Sequence, residues 1–362
     1  MGNHPYRGQP DFQFWRSAPG ADSGDELDPV VGASFAITKA DKVVTAGSCF
    51  ATHLARYLPI GGLTHFVTEP GHPSIPAELR RKHNYGVFSA RYGNIYTGRQ
   101  LRQLLERAYG LFQPVETHWQ YGDNAVIDPF RPQIQPKGFV NLDELTADQA
   151  QHLSAVRRAI ESMDYFVFTL GLTEAWIDRR DGAVLPLAPG VVGGVFDSDI
   201  HRFHNFTVDE VVQDMDNALA LIRRHNPAAK FLFTVSPVPL NATAVPRHVL
   251  VSTTYSKSVL RVAAEYLCAK WENAEYFPSY EIITAPHVRG RYFAADHRGV
   301  IEEGVEHVMR IFFRHYSAEP EPLSLAAPSA GQGSGETATD SHLRDMEDLI
   351  QVLCDEEAIT NA

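Results

Sequence analysis

Three short runs along the chain are almost unbroken in apolar and β-branched character: Lys42-Val43-Val44-Thr45-Ala46-Gly47, Tyr165-Phe166-Val167-Phe168-Thr169-Leu170 and Lys230-Phe231-Leu232-Phe233-Thr234-Val235. Between and after them the spacing turns helical. Leu101, Leu104, Leu105 and Ala108 line one side of residues 98–108, and an amphipathic stretch runs from Leu145 to Met163. A further stretch opens on Thr207-Val208-Asp209-Glu210, with capping-box spacing, and closes at His225-Asn226-Pro227. Two more follow, from Thr253 to Trp271 and from about Glu302 to His315. Continuous apolar strands that alternate with helices predict a parallel sheet buried on both faces. All three runs carry their polar, turn-forming residues at the C-terminal end, where an open α/β sheet builds its ligand crevice. That polarity gathers Ser48, Thr173 with Glu174, and Ser236 along one edge.

The first run breaks at Gly47, presents Ser48 and Cys49, and passes directly into a helical pattern through Leu54, Tyr57 and Leu58. Glycine can take the backbone angles of a sharp turn, and the free amides of the helix that follows can stabilise an oxyanion beside the hydroxyl. A Gly-Ser pair before a helix also reads as a plain turn with a serine cap. Cys49 is either a second nucleophile candidate, since a helix N-terminus lowers a thiol pKa, or a small packing residue in the turn.

Composition narrows the field. The chain has 362 residues, 44% of them hydrophobic and 10% aromatic, which suits one α/β domain with insertions. It contains no apolar run long enough to span a bilayer, and Met1 to Gln13 lack the apolar core of a secretory signal, so no membrane insertion and a cytoplasmic location are expected. Cys49, Cys268 and Cys354 are too scattered for a disulfide framework or a CxxC site. With no His-Glu-x-x-His arrangement either, no metal and no cofactor are expected.

The net charge of −12 is uneven: ten acids against Arg344 alone put −9 beyond residue 316 and leave −3 on the body. Neither part has the clustered Lys/Arg footprint that nucleic acid requires. Residues 1–30, rich in Pro and Gly around Phe12, Phe14 and Trp15, read as an extended arm whose rings lie on the domain surface. Residues 31–316 form the α/β domain, and 317–342, rich in Ala, Pro, Gly, Ser and Thr, a flexible linker. In the acidic segment 343–362, Leu343, Met346, Leu349, Ile350 and Leu353 share a face. It is either a short helix that docks on a protein partner or on its own domain, or an acidic tail with marginal helix.

Gly47-Ser48-Cys49-Phe50-Ala51 spells the name of the GSCFA family, and the resemblance extends well beyond it. Asn84-Tyr85-Gly86, Asp128-Pro129-Phe130-Arg131-Pro132, Thr169-Leu170-Gly171-Leu172-Thr173-Glu174-Ala175-Trp176, Thr234-Val235-Ser236-Pro237-Val238, Tyr255-Ser256-Lys257-Ser258 and Tyr276-Phe277-Pro278-Ser279-Tyr280-Glu281 follow in order. The chain therefore resembles a branch of the SGNH, or GDSL-like, hydrolases over about residues 40 to 315. The resemblance implies a flavodoxin-like three-layer α/β/α sandwich with a mostly parallel sheet. It also implies an ester hydrolase or O-acyltransferase acting on an acylated carbohydrate or a small ester, with Ser48 as nucleophile.

Carried over residue by residue, the resemblance implies an oxyanion hole from the amide of Ser48, Gly86 and Thr173. Thr173 stands in Gly171-Leu172-Thr173-Glu174 where these enzymes show Gly-x-Asn-Asp, and its hydroxyl is a shorter donor than the amide it replaces. The catalytic pair of these enzymes is Asp-x-x-His, whereas this chain reads Asp296-His297-Arg298-Gly299. Aligning Asp296 with the acid puts the base position on Gly299; aligning His297 with the base puts the acid position on Ala294. The expectation is His297 as base beside Asp296, with His204 and His248 as the alternatives.

Glu174, His204, Ser236 and His248 are the expected substrate-binding residues. The cluster His201, Arg202, His204 and Asn205 reads either as a pocket wall or as a polar surface before a capped helix. Ser256-Lys257 resembles the Ser-Lys pairs of some hydrolases, but its place inside a helical pattern makes packing its default role. The displaced Asp/His pair also suits a rival function, a non-catalytic glycan- or small-ligand-binding protein on the same scaffold.

Overall fold

A computed structural model describes residues 4–18, 20, 27–319 and 358–361. Its centre is a five-stranded, wholly parallel sheet. In chain order, β1 (Lys42–Gly47) is followed by α1 (Ala51–Ile60), the short edge strand β2 (Thr64–His65), α2 (Ala77–Lys82) and α3 (Gly98–Ala108). The hairpin β3 (Trp119–Tyr121) and β4 (Ala125–Ile127) precedes α4 (Leu142–Ser162) and β5 (Tyr165–Leu170). Three strands then form a separate antiparallel sheet, β6 (Glu174–Asp178), β7 (Val184–Leu185) and β8 (His201–Asn205). The chain continues through α5 (Val208–His225), β9 (Lys230–Val235), α6 (Val249–Lys270), β10 (Ala274–Tyr276), α7 (Ser279–Thr284) and α8 (Glu302–Tyr316). The order across the main sheet is β10-β9-β5-β1-β2, so β1 and β5 sit near its middle.

Side-chain alternation along the strands splits the core into two layers. Val44, Ala46, Phe166, Phe168, Phe231 and Phe233 face α3, α4, α5 and α6. Val43, Tyr165, Val167 and Leu232 face α1, α7 and α8. This is the parallel sheet buried on both faces that the pattern predicts, and the three-layer α/β/α sandwich that the resemblance implies. The helix starts are fixed by side-chain caps on Asn141, Thr207 and Thr97, the last two in full capping boxes, each worth about 1 kcal/mol.

Trp15 is exposed and lies against His287, their ring centroids 5.0 Å apart. The linker from residue 320 and the apolar face proposed around Leu343 to Leu353 lie outside the described residues. Among the described residues no helix is long and apolar enough to cross a membrane.

Gly47 ends β1 at φ +133°, and a Cβ built on it would overlap the Thr169 carbonyl and stand 2.7 Å from the Thr169 amide nitrogen. No side chain fits between these two central strands. Gly47→Ala is therefore expected to lower stability by about 3 kcal/mol or more, combining backbone strain with overpacking. Chemical denaturation of the two proteins checks this; equal midpoints would refute it.

Candidate active site

The C-terminal edge of the sheet is tightly woven around β1. The Ser48 amide donates to the Thr169 carbonyl at 3.1 Å, and the Ile95 amide donates to the Gly47 carbonyl at 2.7 Å. Gly171 and Leu172 both donate to the Tyr96 carbonyl at 3.1 Å, and the Ser236 amide donates to the Leu170 carbonyl at 2.9 Å. The loops after β1, β5 and β9 are thus locked side by side. Between them is a small cavity of about 10 Å³, room for one water, lined by Ser48, Tyr96, Leu172, Ser236, Leu240 and Lys257 among others.

Ser48 is 3% exposed, and its Oγ has no hydrogen-bond partner among the described residues. On the neighbouring strand Thr169 Oγ1 is likewise buried without a partner. Buried hydroxyls are normally paired, so an orphan one at the end of a central strand, beside room for a single water, calls for an explanation. Lys257 reaches the same cavity from α6, 2% exposed, and its Nζ donates to the Gly171 carbonyl at 2.7 Å. A buried lysine is expensive and rare, and this one stands beside the orphan serine. Its neighbour Ser256 accepts the Thr173 amide at 3.0 Å, so the Ser256-Lys257 pair fastens α6 to both ends of the Gly171-Leu172-Thr173 turn.

Of the residues expected from sequence, Ser48 and Ser236 meet in this cavity, as does Cys49, which is buried. The expected oxyanion donors are engaged elsewhere. Besides the Ser48 amide, the Gly86 amide donates to the Glu69 carbonyl at 3.1 Å, and Gly86 lines a different cavity, at the flank of α1. Thr173 Oγ1 donates to Asn205 Oδ1 at 2.7 Å.

Glu174 accepts from Thr243 Oγ1 at 2.6 Å and the Ala244 amide at 3.2 Å, tying down the loop between β9 and α6, and burial raises its carboxyl pKa. His204 pairs with Glu210 at 2.8 Å and lies edge-on to Phe206. His248 is exposed at the start of α6, where its Nδ1 accepts the Leu250 amide at 3.1 Å. None of these three lines the Ser48 cavity.

The loop before α8 holds Asp296 and His297 on the surface. The Asp296 carboxylate accepts the amides of Arg298 at 2.9 Å and Gly299 at 3.0 Å, and those bonds hold its pKa below the ordinary value. His297 has left-handed backbone angles, with φ 56°, and is not among the residues around Ser48. Among the described residues no three His, Cys, Asp or Glu side chains cluster as metal ligands would.

The sequence model of the GSCFA family matches residues 42–312, three quarters of the chain and all of the main sheet. The chain belongs to the GSCFA family. A comparison with curated proteins finds no match. The parallel sheet, with its serine directly after β1, agrees with an SGNH-like reading of this GSCFA protein.

His53 and His152 are buried and His65 is half-buried, and all three are held in the neutral form. Burial first, then Arg56, brings His53 down to about 3, and burial first, then Arg131, brings His152 down to about 4. Burial alone brings His65 to about 4. The unfolded chain takes up these protons near pH 6.5, so the stabilisation is complete above that pH and is lost as pH falls toward 4. Going from pH 7 to 5 is expected to cost about 1–2 kcal/mol for each such histidine. Calorimetry should show the melting temperature falling by several degrees over that interval, and a flat profile would contradict it.

Proposed function

We propose that this GSCFA protein is a serine-dependent ester hydrolase or O-acyltransferase, acting on a small ester or an acylated carbohydrate. The observation that carries the reading is the orphan Ser48 Oγ, buried at the C-terminal end of a central parallel strand and sharing a cavity with Lys257. In this reading Ser48 Oγ attacks the acyl carbonyl carbon while Lys257 Nζ takes its proton, a role that requires the amine to be unprotonated when it acts. The bond to the alkoxy group then breaks, the leaving alcohol regains that proton, and water or an acceptor hydroxyl releases the acyl group from Ser48. The space for one water suits a small acyl group such as acetyl; anything larger requires the Val238–Leu240 segment to give way.

His297 remains the base that the family resemblance suggests, and in that role its surface loop has to turn toward Ser48. Engagement of the three expected oxyanion donors favours the rival reading, a ligand-binding protein without turnover. A fluorophosphonate probe separates the two. Covalent labelling mapped to Ser48 is the expected result, and a folded protein that takes no label would leave the binding reading standing.

A further inference from the structure

A second cavity, near the β2 edge of the sheet, differs in chemistry from the Ser48 site. It lies between α1, α2, β2 and residues 85–87, and has a volume of about 580 Å³, within the range of small-molecule sites. Arg56, Arg80 and Arg81 line it together with the apolar surfaces of Ile60, Val67 and Val87, and no carboxylate is among the lining residues. His65 also borders it, and burial keeps that ring neutral. Three guanidinium groups against one carboxylate, the Glu302 that pairs with Arg56, leave this wall net positive on a body that carries −3.

The hydrogen bonding of these arginines separates them from the structural ones. Arg91 spends its donors on Asp148, the His83 carbonyl and the Ile134 carbonyl, and Arg131 spends its own on Asp128, Asp148 and the Arg91 carbonyl. Arg56 is as deeply buried, at 7% exposure, yet only its Nη2 is engaged, by Glu302; Nε and Nη1 have no partner among the described residues. Arg80 Nε is also buried without a partner, and Arg81 has no ion pair among the described residues. Leaving charged donors buried and unmet costs stability, so guanidinium groups whose only role was structural would be saturated as Arg91 and Arg131 are.

We infer that this cavity is a binding site for a small molecule with an oxyanion head, phosphate or carboxylate, on an apolar body. The head is held by Arg80 and Arg81, half-buried on the rim helix, with the Glu302-paired Arg56 behind them in the wall, and the body lies against Ile60, Val67 and Val87. Guanidinium groups suit both kinds of head, and a dianionic phosphate gains more from two of them than a carboxylate does. The inference does not depend on the reaction assigned to Ser48.

Isothermal titration of the full chain with phenyl phosphate, benzoate and neutral benzyl alcohol tests it. Phenyl phosphate should bind saturably and more tightly than benzoate, benzyl alcohol should not compete, and affinity should fall as salt is raised. The double variant Arg80→Ala/Arg81→Ala, changed only on the rim helix, should bind phenyl phosphate about tenfold more weakly or worse. Ser48→Ala should bind it as the wild type does. A carboxylate preference would keep the site and change its natural head group. Absence of saturable binding of both anions, unchanged affinity in the double variant, or loss of binding in Ser48→Ala would each overturn the proposal.

Discussion

Ser48→Ala should abolish hydrolysis of p-nitrophenyl acetate, with a fall in kcat/KM of about a thousandfold or more, while leaving the protein at least as stable as the wild type. The two halves of this result follow from one observation. A serine retained for structure would have its hydroxyl bonded, and its replacement would cost about 1 kcal/mol. Ser48 Oγ is buried with no partner among the described residues, so its removal breaks no hydrogen bond and relieves an unmet one. The hydroxyl therefore makes no bond to the described protein groups that alanine would lose, which is what a nucleophile kept for chemistry requires. Melting curves and acetate-ester kinetics on the same preparations measure both halves. Full activity in the variant would remove Ser48 from the mechanism, and a large loss of stability would mean that its role is structural.

The scaffold was legible because its signals are local. β1, β5 and β9 occupy the residues that their apolar runs mark, and the capping-box spacing at Thr207 begins α5 where expected. The helix before β9 therefore starts at the predicted cap, whereas α6 starts at Val249, four residues ahead of the predicted Thr253. There the first turn is capped by His248, a residue type with no strong cap signature. The sheet of β6, β7 and β8 was missed for a different reason. Its longest strands are short, Glu174–Asp178 with only Ala175, Trp176 and Ile177 apolar and His201–Asn205 almost wholly polar, and they pair across more than twenty residues, so nothing local announces them.

The site was less legible than the scaffold, because residue type reveals what a group can donate but not where the donation goes. Gly86 and Thr173 have suitable chemistry for an oxyanion hole, yet their hydrogen bonds already go to the Glu69 carbonyl and to Asn205 Oδ1. Lys257 shows the converse. Its helical register pointed to packing, which is correct for its stem, but only the assembled sheet brings its amine to the end of β1. The available signal was the Tyr255-Ser256-Lys257-Ser258 motif itself, a lysine set between two serines.

Lys257→Met should lower kcat/KM on the same acetate ester by about a hundredfold to ten-thousandfold, the usual value of a positioned base, with the protein still folded. Methionine fills similar space without charge, and replacing a buried polar group by an apolar one of like volume is often neutral for stability. Lys257→Arg decides what the amine does. A guanidinium can donate hydrogen bonds but cannot accept a proton in the physiological range, so it should fail to rescue if Lys257 is the base. Rescue by arginine would instead make the residue an electrostatic partner of the oxyanion, compensating for the donors committed elsewhere. His297→Ala is the matching control, expected to keep activity within about threefold of wild type, since its loop is exposed and its acid neighbour is spent on backbone amides. If His297→Ala were inactive and Lys257→Met active, the proton would travel through the loop before α8, and that loop would have to move during the reaction.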